Sequence, residues 1–381
     1  MGAVNDVTEA ALRELARTRA EEDSVLSVYL DLDPAHFAIA AARASEIDSL
    51  LDGAHRDVEA GERSRSERMH LREALAHARE VLDGHRSWAR GAGALALFEC
   101  PPLELSRLLR LPQPVRRAWV IADAPFIAPL TQVGPPGRVC VALVDERFAR
   151  VARGDASGLR ETISFGDQVH GRHSKGGWSQ ANYQRSRDEG VEAHLRHAAR
   201  VLHDVLRVAP YDRLLIACTQ PLWARVLAKL HADVRARLHP ERVSVDVSDA
   251  SIPDLERAAR SALAEEQRAH EDALLAALRQ QRGRGRAAAG LPAVLDALVQ
   301  RRVAALMYDA DLEVGGVLCS RCGWLGADAQ RCPVDGATVE RRESIVEEAV
   351  QAAIAQSAEV LALRDRPELG PMGAIAATLR F

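Results

Sequence analysis

Two short segments of this 381-residue chain hold residue types that can do chemistry. The first, Lys175-Gly176-Gly177-Trp178-Ser179-Gln180, puts a glycine pair, an indole that can stack and a glutamine amide on one stretch, with Arg172, His173, Arg185 and Arg187 close by. Adjacent glycines weaken helices and strands, so they stand where backbone must turn through positive φ or come very close to another body. The stretch therefore reads as an exposed basic tip. Lys175 and Lys229 are the only lysines in the sequence, and one of them immediately precedes the glycines. The plainer alternative is a turn that caps the following helix, with Ser179 as N-cap and Trp178 on the surface.

The second segment, Cys319-x2-Cys322-x9-Cys332-x2-Asp335, has the two-knuckle layout of a zinc ribbon, with Gly323 after the first pair and Gly336 after the second. Each tight turn must bring two side chains to about 2.3 Å from one ion. Asp335 stands where most such sites carry Cys or His. A carboxylate can ligate Zn²⁺, so the spacing describes either an intact site of three thiolates and one oxygen or a degenerate ribbon without metal. Its role would be structural, since four protein ligands leave no position for water; a filled site can contribute up to ~10 kcal/mol of local folding free energy. A Cys319–Cys322 redox pair is the lesser alternative. The remaining cysteines, Cys100, Cys140 and Cys218, sit singly in apolar, strand-like runs.

Periodicity places both segments in a larger frame. Residues 24–33 alternate as a strand, 35–90 read as two long Ala- and Arg-rich helices, and 91–99 as a second strand. The breaker cluster Gly134-Pro135-Pro136-Gly137 marks a boundary. Beyond it, 139–144, 148–153 and 159–164 read as successive strands, followed by the glycine segment. A helix over 191–206 comes next, with Val191, Leu195, Ala198, Leu202 and Val205 on one face. Then come a strand at 213–218, a helix at 222–237 and a strand at 242–247. Ser251 to Asp254 forms a capping box that opens a helix reaching about residue 281. After an Arg/Gly linker, 290–303 is helical, 304–308 a strand, 344–356 a helix, and 359–363 and 373–381 strands. This is an α/β, mixed α+β chain of three domains, 1–134, 135–250 and 251–381, with the ribbon inserted at 317–339.

Composition sets limits. A hydrophobic fraction of 47% with 27% charged residues describes a folded soluble chain, and a net charge of −4 means that any RNA contact must come from a local basic patch. No apolar run reaches membrane-span length, and the first residues carry Asp6 and Glu9 in place of a basic, apolar signal, so the cytoplasm is expected. There is no Gly-x-Ser-x-Gly elbow, phosphate loop or His-Glu-x-x-His. His194 and His197, at i and i+3, could set two imidazoles on one metal; with no third ligand evident they read as a solvated or RNA-facing surface.

The order of parts resembles the archaeal and eukaryotic peptide chain release factors, specifically the bacterial archaeo-eukaryotic release factor families. His170-Gly171-Arg172, Gly176-Gly177 and Gln180 resemble the region of the family's Gly-Gly-Gln tip. Residues 290–309, the ribbon, the helix from Ser344 and the closing strand resemble its last domain. The resemblance implies an RNase H-like middle domain and a last domain like ribosomal proteins L7Ae and L30e, with a structural zinc ion on Cys319, Cys322, Cys332 and Asp335. It implies a peptidyl-tRNA hydrolase in which Gly176 and Gly177 let a narrow tip enter the peptidyl transferase centre and Gln180 places water and stabilises the oxyanion. Arg172, Lys175, Trp178, Ser179, Arg185 and Arg187 would contact RNA. Partners would be the ribosome, through large-subunit rRNA, tRNA and a translational GTPase, with the protein a monomer off the membrane. Trp178 and Ser179 separate the glycines from the glutamine, and the first domain lacks an Asn-Ile-Lys-Ser loop. Ribosome rescue without stop-codon decoding follows, with a non-catalytic hibernation or protection factor of the Balon and Pelota kind as the alternative.

Overall fold

The computed structural model describes residues 5–20, 22–32, 40–84, 93–111, 114–132, 138–155, 158–167, 180–246 and 249–381. The fold is mixed α/β with four sheets among these residues, divided between two compact units, residues 1–135 with 267–381, and residues 136–266. Each unit has its own apolar interior.

The first unit begins with β1 (Asn5–Asp6), α1 (Glu9–Arg17), β2 (Val25–Asp31), α2 (Ala40–Ala60), α3 (Arg65–Gly84), β3 (Ala94–Cys100), β4 (Leu105–Leu111), β5 (Ala118–Ala122) and α4 (Ala128–Gln132). The strands form one sheet in the order β1-β4-β3-β2-β5. Nearly every residue of β2 and β3 is buried, because the sheet is covered on both faces. Leu26, Val28 and Leu30 pack with Leu50, Leu51 and Leu71 of α2 and α3. Tyr29, Phe98 and Leu109, on the opposite face, join a core that continues through Leu295, Ile345 and Val350 near the C-terminus. Residues expected as separate first and last domains therefore share one interior.

The second unit holds β6 (Val139–Val144), β7 (Phe148–Asp155), β8 (Gly158–Gly166), α5 (Gln180–Val208), β9 (Arg213–Ala217), α6 (Gln220–Lys229), α7 (Ala232–Arg235) and the first half of α8 (Ile252–Arg282). Its sheet runs β8-β7-β6-β9, an antiparallel meander joined by β9 parallel to β6. The predicted apolar stripe of α5 is buried on one face against Cys140, Ala142 and Ile216, while Leu255 and Ala259 of α8 cover Val141, Leu143 and Leu215 on the other. The capping box at the start of α8 is present: Ser251 N–H donates to Asp254 Oδ2 (3.0 Å) and Asp254 N–H to Ser251 Oγ (3.4 Å).

Two expectations fail here. The helix expected over 222–237 is broken, because Leu230 and His231 are extended and His231 caps α7. The strand expected at 242–247 is absent from its described part, 242–246: among those residues only Val243 bridges to the sheet, at Ala217.

The chain returns to the first unit with β10 (Ala287–Ala289), α9 (Leu291–Val299), β11 (Val303–Asp309), β12 (Gly316–Leu318), β13 (Leu325–Gly326), β14 (Glu340–Arg342), α10 (Val346–Ala355), β15 (Glu359–Leu363) and β16 (Ile375–Leu379). These make a sheet in the order β10-β16-β11-β15 and a small sheet β13-β12-β14. Among the described residues no helix is long and apolar enough to cross a membrane.

A buried carboxylate ties the two sequence-distant parts of the first unit together. Glu347, in the first turn of α10, accepts hydrogen bonds from the Ile127 and Ala128 N–H groups (2.7 and 2.8 Å) and from Gln351 Nε2 (2.7 Å). It thus satisfies donors at the start of α4 that lack helical partners. Burial nevertheless dominates and pushes the Glu347 carboxyl up from 4.5 to about 7, against those hydrogen bonds. The folded state holds this proton more tightly than the unfolded chain, so the contribution is fully present below about pH 4.5 and is lost as pH rises toward 7. The loss should be roughly 3 kcal/mol. Urea unfolding of wild type and Glu347→Gln at about pH 5 and about pH 8 checks this: the variant should lack this part of the pH dependence, and an unchanged difference between the two pH values would refute it.

Candidate functional site

Arg172, Lys175, Gly176, Gly177, Trp178 and Ser179 lie outside the described residues, and Gln180 is the first residue of α5. The structure does describe the two stems of this segment. On the strand side, Asp167 follows β8, and its N–H donates to the Arg147 carbonyl (2.8 Å). Its carboxylate meets His194 Nδ1 at 2.6 Å and His197 Nδ1 at 3.0 Å. The imidazoles also pack on Phe165, with ring centroids 5.7 and 4.3 Å away. One carboxylate on the strand stem therefore grips two histidines on the helix that leaves the segment.

This corrects the expectation of a solvated or RNA-facing histidine pair for His194, while the His197 side chain remains 37% exposed. The His194 side chain is fully buried, and its Nε2 atom has no hydrogen-bond partner. The missing third member was Asp167, and its position just ahead of the segment was a usable signal. Desolvation pushes the Asp167 carboxyl upward, but hydrogen bonds from His197 and His194 outweigh it and hold the group below its usual value. Its stabilising contribution is present above the ordinary carboxylate range and is lost as pH falls through the lowered value. Removing the carboxylate strands a buried imidazole donor, so Asp167→Ala should cost about 1–3 kcal/mol at neutral pH. Urea denaturation measures this, and an unchanged midpoint would show that the contact stabilises nothing.

Of the basic residues expected at the start of α5, Arg185 is exposed. Arg187 forms an ion pair with Glu146, and its side chain is 19% exposed. The structure thus leaves Arg185 open to solvent and commits Arg187 to the protein itself.

The cysteine cluster lies in the first unit, between β12 and β14. Two turns of the same construction build it. Gly323 N–H donates to the Cys319 carbonyl (2.8 Å) and Gly336 N–H to the Cys332 carbonyl (2.9 Å). Both glycines hold positive φ, +74° and +72°, which a side chain would strain. The Cys319 and Cys332 N–H groups donate to the Trp324 and Ala337 carbonyls (both 2.8 Å), closing each turn.

These turns gather Cys319, Cys322, Cys332 and Asp335 so that their ligand atoms all lie within 4.8 Å of one another. Cys322 Sγ is 3.5 Å from Cys332 Sγ, and Cys319 Sγ is 3.6 Å from Asp335 Oδ2. A tetrahedral ion with ligands at about 2.0 to 2.3 Å would separate them by about 3.5 to 3.8 Å, so the four residues fit Zn²⁺. The Ala337 N–H, at 3.0 Å, is the largest influence holding the Asp335 carboxyl below its usual value. A carboxylate ready to ligate is therefore present without a fourth thiol.

Residues 125–269 match the model of bacterial archaeo-eukaryotic release factor family 10. The chain resembles the archaeo-eukaryotic release factors. The release factor match spans the whole of the second unit, including residues 172–180 and the Asp167 clamp at their root. No curated protein matches the chain. Among solved structures, the archaeal translation termination factor aRF1 is similar at 16% identity over 99% of both chains, with a TM-score of 0.27. Pelota from Archaeoglobus fulgidus is 15% identical over 78% of this chain and 81% of its own, with a TM-score of 0.32. The C-terminal domain of a peptide chain release factor from Methanosarcina mazei is 24% identical over 35% of this chain and 98% of its own, with a TM-score of 0.25.

Proposed function

We propose that this chain is a ribosome-associated, release-factor-like protein that acts in translation rescue by hydrolysing the peptidyl-tRNA ester, without decoding stop codons. One observation carries the reading: the segment matched to a release factor family contains Gly176, Gly177 and Gln180. In the reaction, water adds to the ester carbonyl, the bond to the tRNA ribose breaks and a proton passes to the leaving hydroxyl. Side-chain-free glycines let the tip pass between RNA walls. Gln180 opens a 29-residue helix, where backbone N–H groups lack helical partners and the helix dipole is positive. Its backbone N–H and its amide are both donors suited to a developing oxyanion.

Arg172, Lys175 and Arg185 neutralise phosphates in this reading, Trp178 stacks on a base and Ser179 lies beside it. The meander joined by a parallel strand in the second unit supports an RNase H-like domain. The β10-β16-β11-β15 sheet with α9 and α10 supports an L7Ae/L30e-like domain. The paired turns support a structural zinc ion on Cys319, Cys322, Cys332 and Asp335. The partners are large-subunit rRNA, tRNA and a translational GTPase, in the cytoplasm, with the protein acting as a monomer.

The inserted Trp178-Ser179 favours a second reading, a hibernation or protection factor that occupies the ribosome without chemistry. Purified protein added to ribosomes carrying labelled peptidyl-tRNA separates them. Peptide release is expected; binding without release would favour protection, and absence of binding would overturn both.

A further inference from the structure

About 24 Å along α5 from Gln180, the second unit forms an open cleft of about 590 Å³ where α5 faces the end of α6 and the start of α7. Cationic and imidazole side chains line it: Arg196, Arg200 and His203 from α5, Lys229 from the end of α6, and His231 at the cap of α7. The α5 residues recur at i, i+4 and i+7, so the helix presents them on one face. Arg196 and Arg200 are exposed, and neither has a carboxylate partner among the described residues. Lys229 is paired with Glu192 (2.6 Å), which also meets Arg225 (3.1 Å). In a chain of net charge −4 with two lysines, one of them lies here beside two unneutralised guanidinium groups.

The imidazoles decide which sign of ligand fits. His203, His231 and Asp233 bring possible ligand atoms within 4.8 Å of one another, which alone would admit a metal ion. Three observations oppose that. The two rings stack at 4.2 Å with 20° between their planes, so their in-plane lone pairs run side by side and converge poorly on one ion. His231 Nδ1 is already engaged by its neighbour, 3.3 Å from the Asp233 N and 3.4 Å from Asp233 Oδ2. Arg196, Arg200 and Lys229 line the same cleft and would repel a divalent cation.

A lining rich in donors suits oxyanions, and planar guanidinium forks suit phosphate oxygens in particular. The cleft is open, and among the described residues that line it there is no aromatic wall beyond the two imidazoles to hold a free nucleoside. We propose that it binds the phosphodiester backbone of RNA, as a second contact on this unit apart from the glycine segment. That the RNA is ribosomal rests on the function proposed above; the binding itself does not.

The test uses the full-length protein and a labelled single-stranded RNA oligonucleotide, with affinity followed by fluorescence anisotropy across a salt series. Replacing Arg196 and Arg200 together by alanine should weaken binding about 10-fold at low salt and reduce the salt-dependence slope by about 1.4, since each lost phosphate contact removes about 0.7. Arg257→Ala, an exposed charge on α8, should leave the slope unchanged. Thermal melting checks that the variants fold; both substituted residues are exposed. An unchanged affinity and slope in the double variant would overturn the proposal. So would displacement of the RNA by inorganic pyrophosphate at equal concentration, which would assign the cleft to free phosphates. Zinc binding lost in His203→Ala, with RNA affinity intact, would assign it to a metal. Because RNA binding is read off the ribosome, failure of peptide release leaves this result standing, and failure here leaves release standing.

Discussion

Gln180→Ala is expected to slow release of labelled peptide from ribosome-bound peptidyl-tRNA by about 10²-fold or more, the usual effect of removing one donor to a developing oxyanion. The expectation rests on position as well as residue type. Gln180 stands where the glycine segment becomes α5, and that helix is fixed behind it by Val191, Leu195 and Leu202 in the core. Asp167 grips His194 and His197 at 2.6 and 3.0 Å, so the strand stem is tied to the same helix. Alanine keeps the helix, since it has the highest helix propensity, so the loss would reflect the amide. Release that survives the substitution would remove the glutamine mechanism. A backbone N–H at residue 180 would persist in the variant, and residual activity a few-fold above background would be attributed to it.

Loss of the ribbon's metal should have the largest effect on folding. Purified protein should carry one zinc per chain, and Cys332→Ser should abolish it and melt the ribbon, whose folding can draw up to ~10 kcal/mol from the ion. Leu325 and Leu318 anchor the base of this insert in the core of the first unit, and the ion would hold the two turns beyond it. Its sheet has strands of two and three residues, and the two turns converge on the four ligand atoms. Exposed Arg321 and Arg331 sit within it, so chelation should open it to trypsin at those bonds. The rest of the first unit keeps its own core through Leu295, Ile345 and Val350 and should resist cleavage. A chain free of zinc, with trypsin resistance indifferent to chelator, would establish a degenerate ribbon.

How much was readable in advance differs from element to element. The α5 stripe, the α8 capping box and both knuckles of the ribbon were legible because their information is local: a spacing of three or four residues, a serine and an aspartate three apart, a Cys–Cys or Cys–Asp pair with a glycine behind it. The helix over 222–237 and the strand over 242–247 were misread, because propensity has no view of where the sheet edge lies. Once Leu230 is buried, with extended backbone at Leu230 and His231, the helix is interrupted. The histidine pair was misread for a related reason. The i, i+3 spacing put both rings near one face, but burial of His194 depends on β8 and Phe165.

By itself, the sequence determined the alternation of strands and helices, the basic glycine segment and the four candidate zinc ligands, since short-range sterics and spacing decide these. Only the tertiary structure joined Glu347 to the start of α4 across 220 residues, set Asp167 against two histidines, and gathered Arg196, Arg200 and Lys229 around one cleft. Those contacts arise when apolar faces leave water and carry polar groups with them. A buried polar group then takes a partner wherever the packed chain provides one, as Glu347 and His194 Nδ1 do, while His194 Nε2 is left without one.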